Sequence, residues 1–418
     1  MLKRVDPAEI PAQDRATPPC PHFGPCGGCQ LQHLAYPAQL ALKATQFSAL
    51  LDATGLALPE LQLHASPPLA YRNRIRLTLA QSNGELRAGY LTSAPDPSNL
   101  EPRTSNLGFL PITQCPIAAS ILWSATEALL ALVNQRSATW QERAPFTLDQ
   151  LELFTSADET QLQISLLVRT SAKSLPARFS DELASLCESL RLQIPALAGA
   201  GIYLLPPRSA RSRRVEQPRP GPTWGLPGLH YTVGEPNGQR TTGNGQLSFW
   251  VPRGAFFQVN RYLLPELLAL ATANRSGQLA WDLYAGVGLF TRALAAHFAR
   301  VTAVEIAEPS FTALASVKLP NRHAVKDTTL DFLRAAVVQR DRPDLVVLDP
   351  PRTGAGREVC ELLGRVSAPT LVYVSCSPET LPADLATLAT SGYRIAALHL
   401  LDLFPQTAHI ETVAVLAR

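Results

Sequence analysis

Asp282-Leu283-Tyr284-Ala285-Gly286-Val287-Gly288-Leu289-Phe290-Thr291 decides how the C-terminal part of this chain is built. An apolar strand, Leu279-Ala280-Trp281-Asp282-Leu283, runs into two glycines and then into a helical pattern reaching to about Ala299. Glycines let a backbone approach a ligand closely, and parallel strands place that ligand at their carboxyl edge. Working outward, Val301–Glu305, Leu345–Asp349 and Leu371–Ser375 are further apolar strands with helical stretches between them. This alternation predicts a parallel sheet covered on both faces. The runs Ile395–Leu401 and Glu411–Leu416 lie too close for a crossover helix and are expected to pair antiparallel.

A Gly-x-Gly turn alone also fits a dinucleotide site, but Thr291 stands where that fingerprint has its third glycine. Glu305 comes 23 residues after Asp282, at the end of the next strand, where a carboxylate suits a ribose diol. Cys376, in Val372-Tyr373-Val374-Ser375-Cys376-Ser377-Pro378, falls just past a parallel strand at the same edge. An isolated strand-end cysteine is more often a small buried hydrophobe than a nucleophile. Cys187 and Cys360, in helical patterns, take that bland reading.

The rest of the chain supports a multidomain enzyme. Its 418 residues exceed one ordinary domain, and 46% hydrophobic with 17% charged residues is a globular composition. The division expected is an N-terminal segment over 1–64, a strand-rich α+β domain over 65–240 and an α/β domain over 241–418. Residues 1–19 read as a loose Pro-rich leader, Ala35 to Ala53 as helix, and Arg74–Leu79 and Leu162–Leu166 as half-buried strands. No signal peptide and no run of about 18 apolar residues is read, so the expected location is cytoplasmic, without a membrane partner. A net charge of +3 does not announce a nucleic-acid partner, so local clusters must carry that case. Two exist: Arg72, Arg74 and Arg76 on one strand face, and Arg208, Arg211, Arg213 and Arg214 in a Pro-flanked loop. Each is either a phosphate-binding feature or ordinary solvated surface.

Four stretches together identify a resemblance. Phe256-Phe257-Gln258-Val259-Asn260, Asp349-Pro350-Pro351-Arg352, Ser375-Cys376-Ser377-Pro378-Glu379-Thr380 and Asp402-Leu403-Phe404-Pro405 through His409-Ile410-Glu411-Thr412 resemble signature blocks of the RNA uracil-5 methyltransferase family, in the family's order. The resemblance covers essentially the whole chain. It implies a Rossmann-like, seven-stranded domain that uses S-adenosylmethionine to methylate carbon 5 of a uridine in RNA. It also implies that Cys376 is the nucleophile and Glu411 the base, with Gln258, Tyr284, Glu305 and Asp349 contacting S-adenosylmethionine. Chemistry agrees: uracil C5 is a poor nucleophile until a thiolate adds to C6, and a base must then take the C5 proton. The sequence departs from the family at Leu289, where many members carry Asn, and has no room before Cys20 for their β-barrel RNA-binding domain.

Seven cysteines in an expected reducing compartment point to metal or catalytic use. Cys20, Cys26, Cys29 and the distant Cys115 supply four thiolates, which suit either tetrahedral zinc or a [4Fe-4S] cluster. Their spacing is similar to that of family members holding a [4Fe-4S] cluster, which implies the cluster with a structural role. Those members act mostly on 23S rRNA and some on the T-loop of tRNA, so an rRNA substrate and a monomeric enzyme are expected. The rival readings are a cytosine-5 RNA methyltransferase, an inactive iron-sulfur RNA-binding factor, and an amino-group methyltransferase that would leave Cys376 without a task.

Overall fold

The computed structural model describes residues 10–82, 84–92, 108–136, 145–208, 218–234 and 247–418. The strands in chain order are β1 (Leu61–His64), β2 (Arg74–Ser82), β3 (Glu85–Thr92), β4 (Gly108–Pro111), β5 (Thr147–Thr155), β6 (Leu162–Arg169), β7 (Leu197–Leu205), β8 (Arg219–Gly225), β9 (Gly228–Val233) and β10 (Leu247–Pro252). The C-terminal strands are β11 (Gly277–Leu283), β12 (Phe298–Val304), β13 (Arg322–Val325), β14 (Leu345–Leu348), β15 (Thr370–Ser375), β16 (Arg394–Leu401) and β17 (Glu411–Ala417).

The large sheet runs β1-β16-β17-β15-β14-β11-β12-β13. Strands β11 to β15 pair parallel, and β17 is antiparallel to both its neighbours, as the short link between the last two strands requires. Side chains alternate across this sheet. Trp281, Leu283, Val346, Leu348, Leu371 and Tyr373 face a core closed by helices Tyr36–Asp52, Thr329–Gln339, Arg357–Val366 and Leu381–Thr390. Ala280, Leu345, Val347, Val372 and Val374 face the opposite core, closed by helices Leu264–Thr272 and Leu289–Leu294 and by the β9–β10 hairpin.

Three expectations change. The seven strands gain an eighth: β1 adds parallel to β16, and Phe47 and Leu51 of the neighbouring helix enter the same core as Trp281. Residues 10–19 are not a loose leader, because Ile10 is buried against Leu31 and Leu34, and Arg15 pairs with Leu34. The helix after the glycines ends at Leu294, because β12 begins at Phe298.

The second sheet runs β4-β3-β2-β5-β6-β7-β8 and packs on helices Ser120–Gln135 and Arg178–Gln193. Strand β6 was expected to have a polar solvent face, yet Gln163 and Ser165 are buried. Gln163 Nε2 donates to Gly228 O at 2.6 Å, so the residues leading into β9 cover the face that alternation alone assigns to water. No helix among the described residues is long and apolar enough to cross a membrane.

Candidate active site

The carboxyl edge of the large sheet gathers the reactive side chains. Ser375 at the end of β15 pairs with Thr412 of β17, so Cys376, the next residue after β15, leaves the sheet near Glu411, the first residue of β17. Thr412 Oγ1 donates to Ser375 O at 3.1 Å and Ser377 N to Ser375 Oγ at 3.1 Å, holding the strand exit in place. One strand further on, Asp349 follows β14, and its amide donates to Leu283 O at 3.3 Å. Gln258 Nε2 donates to Asp349 Oδ2 at 3.3 Å, and Asn73 Nδ2 donates to Gln258 O at 2.9 Å.

The glycine turn lies at the same edge. Tyr284, Gly286 and Gly288 all have positive φ (62°, 58° and 91°), which a non-glycine residue rarely adopts. A Cβ on Gly288 would stand 2.9 Å from Leu314 Cδ1, so a side chain there would also push the Leu314 tip aside. Glu305 ends β12 and accepts from Gly286 N at 2.8 Å and Ala307 N at 2.6 Å, which shapes the turn while leaving its carboxylate lone pairs for further donors. Asp282 Oδ2 accepts from Thr291 N at 2.7 Å and from its hydroxyl, pinning the start of the helix. Leu289, where a polar contact was in doubt, is buried in the apolar core.

The electrostatics of this edge are unusual. Asp282 and Asp349 are each pushed up to about 7, first by burial and then by a neighbouring carboxylate, Glu305 for Asp282 and Asp282 for Asp349. Glu411 is raised well above the usual carboxylate range by burial and by Asp349, against the opposing charge of Arg352. Its Oε1 is buried without a hydrogen-bond partner. The Cys376 thiol is pushed up to about 11 by burial, with Glu411 and Asp349 adding and Arg352 opposing. Such a site favours the neutral thiol and acids, and a cation entering it would favour their ionised forms. His409, beside Phe404, is held down at about 4 by burial and Arg352 and so is neutral at physiological pH.

Two residues of this edge were not singled out in the sequence. Arg352 lay within a quoted block without a role. Asp384, buried in helix Leu381–Thr390, accepts from Tyr373 Oη at 2.6 Å, Ala355 N at 2.9 Å and Gly356 N at 3.2 Å, and so anchors the loop after Asp349. No local pattern marks a helix carboxylate that caps a distant loop.

Residues 242–418 match the family model described as tRNA (Uracil-5-)-methyltransferase. The 23S rRNA (uracil(1939)-C(5))-methyltransferase RlmD of Chromohalobacter salexigens is 30% identical over 426 residues, covering 100% of this chain and 80% of that protein. The chain belongs to the RNA uracil-5 methyltransferase family. An uncharacterized RNA methyltransferase of Thermotoga maritima is 28% identical, covering 97% of this chain and 86% of that relative. The fold is similar to that of the Pyrococcus abyssi tRNA (uracil-54, C5)-methyltransferase in complex with S-adenosyl-L-homocysteine, with a TM-score of 0.67 at 22% identity over 94% of this chain and 86% of that one. The mixed α/β fold of this uracil-5 methyltransferase is thus that of a methyltransferase using S-adenosylmethionine.

The remaining expected site residues lie elsewhere in this methyltransferase. Cys20, Cys26, Cys29 and Cys115 line one cavity of about 130 Å³ together with Arg72, Tyr90 and Gln32. Among the described residues no three His, Cys, Asp or Glu side chains are arranged to hold a metal ion, although the four cysteines line the same cavity. Cys29 is pushed up to about 12 by burial, against a hydrogen bond from Gln32. Cys187 and Cys360 are buried in apolar cores, as expected.

The arginine row is corrected. Arg72 lines the cysteine cavity, and Arg74 donates to Ala255 O at 2.7 Å and stacks 4.1 Å over the Phe154 ring. Arg74 and Arg76 share Glu152, so this face is not a free row of cations. Arg208 pairs with Asp149 at 2.8 Å, while Arg211, Arg213 and Arg214 lie outside the described residues.

Proposed function

We propose that this uracil-5 methyltransferase acts on a uridine of 23S rRNA through a covalent route in which Cys376 attacks C6 and Glu411 removes the C5 proton. The observation that carries the reading is that the Ser375–Thr412 pair brings Cys376, just past β15, near Glu411, which opens β17, at the carboxyl edge beside the glycine turn. A nucleophile and a base that must address adjacent ring carbons need to sit side by side. An amino-group methyltransferase would leave Cys376 without a task, a cytosine-5 enzyme is opposed by the blocks around Cys376 and Glu411, and an inactive binding factor would gain nothing from a buried carboxyl oxygen without a partner. The ribosomal substrate rests on relatives named for 23S rRNA; the family model's description keeps a tRNA uridine as the second reading.

Glu305 and the Gly286 turn would hold the ribose end of S-adenosylmethionine, with Tyr284, Gln258 and Asp349 around the rest. Bound there, S-adenosylmethionine supplies an electrophilic methyl group on a cationic sulfonium. The chain's own part is to exclude water, orient the uracil and move one proton. Addition of the Cys376 thiolate to C6 makes C5 nucleophilic. After methylation Glu411 takes the C5 proton, the C5–C6 double bond re-forms and the C6–S bond breaks, returning the thiolate. An unpaired or flipped uridine is required, since C5 and C6 cannot be reached in a stacked pair.

Cys20, Cys26, Cys29 and Cys115 are proposed to hold a [4Fe-4S] cluster. The four cysteines line one cavity, and the preference for a cluster over one zinc ion rests on their spacing, which is similar to that of family members holding a cluster. Its role there would be structural, since methyl transfer moves no electrons to a redox centre. The strand-rich part over 65–240 is proposed to grip RNA, ahead of the catalytic part over 241–418.

The test of the base assignment is Glu411→Gln, which keeps shape but removes basicity. The variant is expected to stall as a methylated protein–RNA adduct that survives denaturing electrophoresis, carries the donor's labelled methyl group and needs Cys376. Normal turnover would exclude Glu411 as the base. Mapping 5-methyluridine in rRNA and tRNA from a deletion strain decides the substrate.

A further inference from the structure

The loop that delivers Glu411 is shaped from outside its own hairpin. Leu401 of β16 pairs with Glu411 of β17, so residues 402–410 close the turn. Hairpin loops usually take about 2–5 residues. In this longer one Phe404 and His409 are half-buried and the other residues are buried. Buried backbone groups must find partners, and a loop this long cannot supply them all itself.

The partners come from the segment that follows Cys29. Gln406, at φ 68°, donates its amide to Gln39 Oε1 at 3.0 Å, and Gln39 Nε2 donates back to Gln406 Oε1 at 3.0 Å. Gln406 O accepts from the amides of Gln30 and Leu31, both at 3.0 Å. Ala408 N donates to Gln30 Oε1 at 3.1 Å. Lys43 Nζ donates to Asp402 Oδ1 at 2.6 Å and Phe404 O at 3.1 Å, and Tyr71 Oη donates to Pro405 O at 3.1 Å. Nearly every step of the loop up to residue 408 is therefore held by groups more than 300 residues away in sequence.

We propose that Gln30 and Gln39 are positioning residues for proton abstraction: they clamp the 406–408 turn and so aim the Glu411 carboxylate at C5 of the bound uracil. This rests on Glu411 being the base. Cys376 leaves β15, which is held by β14 on one side as well as by β17 on the other; the β14 ladder does not involve the clamp, so the nucleophile keeps that support when the loop loosens. The clamp thus bears on the last chemical step, in which the C5–H electron pair becomes the C5–C6 double bond, the C6–S pair returns to sulfur and the proton passes to Glu411. Misplacing a base by a fraction of an ångström slows that step without slowing attack.

The experiment compares full-length Gln39→Leu, Gln30→Ala and Glu411→Gln with the unaltered enzyme on RNA and labelled S-adenosylmethionine. Gln30 is half-buried and among the described residues its side chain bonds Gly27 O and Ala408 N, so its variant is expected to keep the fold even if Gln39→Leu does not. Expected for both glutamine variants is a turnover rate reduced on the order of tenfold. The rate of Cys376-linked adduct formation should stay near that of the unaltered enzyme, and methylated adduct should accumulate. Unchanged turnover in both, or adduct formation falling in step with turnover as it would from lost folded protein, overturns the proposal. Stalling of Glu411→Gln alone overturns the clamp and leaves the base assignment standing; normal turnover by Glu411→Gln removes both.

Discussion

The strand-rich sheet and the catalytic edge treat buried carboxylates in opposite ways. In the former they stand against arginine: Glu152 between Arg74 and Arg76, and Asp149 between Arg169 and Arg208. At the edge, Asp282, Asp349 and Glu411 are buried with one another for company, and Arg352 from the surface is the cation that opposes the ionisation cost of Glu411 and Cys376. A pair neutralised within the fold serves the fold. Carboxyl groups left uncompensated are poised to respond to a charge arriving from outside, which under the proposed route is a sulfonium donor and a substrate proton.

The comparison breaks most sharply at Cys376. Cys376→Ala is expected to lower methylation on the order of 10⁴-fold or more, with S-adenosylmethionine affinity by calorimetry near that of the unaltered enzyme, because the thiol addresses the base and not the donor. Robust turnover would end the covalent reading.

On the other side, Glu152→Ala leaves the largely buried Arg74 without its anion and is expected to cost about 3 kcal/mol of stability. Denaturant titration measures that loss, while kcat per folded molecule should hold. A drop in kcat without a drop in stability would mean that the structural pairs also serve catalysis.

The smallest effect sharpens the role of Arg352. The Cys376 thiol sits at about 11, so kcat/KM should rise with pH from neutrality as thiolate forms. Arg352 lowers that value, so Arg352→Ala pushes the thiol higher still and moves the rising limb to more alkaline pH. At pH 7 the loss should be about tenfold, narrowing as pH rises. A uniform loss across the profile would show that Arg352 binds substrate instead of tuning the thiol.

Much of the catalytic edge was legible because it is written locally. Strand periodicity, a glycine turn and an acidic residue at the next strand end are short-range patterns, and each landed within a few residues of its element. The arginine row was not: alternation put Arg72, Arg74 and Arg76 on one face, but whether that face meets water depends on Ala255, Phe154 and Glu152. Strand β6 failed for the same reason, its polar side being covered by the segment entering β9.

By itself, then, the sequence determined the parallel α/β sheet, the glycine turn at its carboxyl edge, and the family that the chain resembles. Backbone periodicity and side-chain chemistry act over a few residues and leave their mark there. Tertiary structure alone decided that Cys376 and Glu411 come together where β15 and β17 pair, that β1 extends the sheet, and that Gln30 and Gln39 hold the loop before Glu411. These depend on contacts between segments tens to hundreds of residues apart, whose partners are chosen by complementary packing and by the need of buried polar groups for a hydrogen bond.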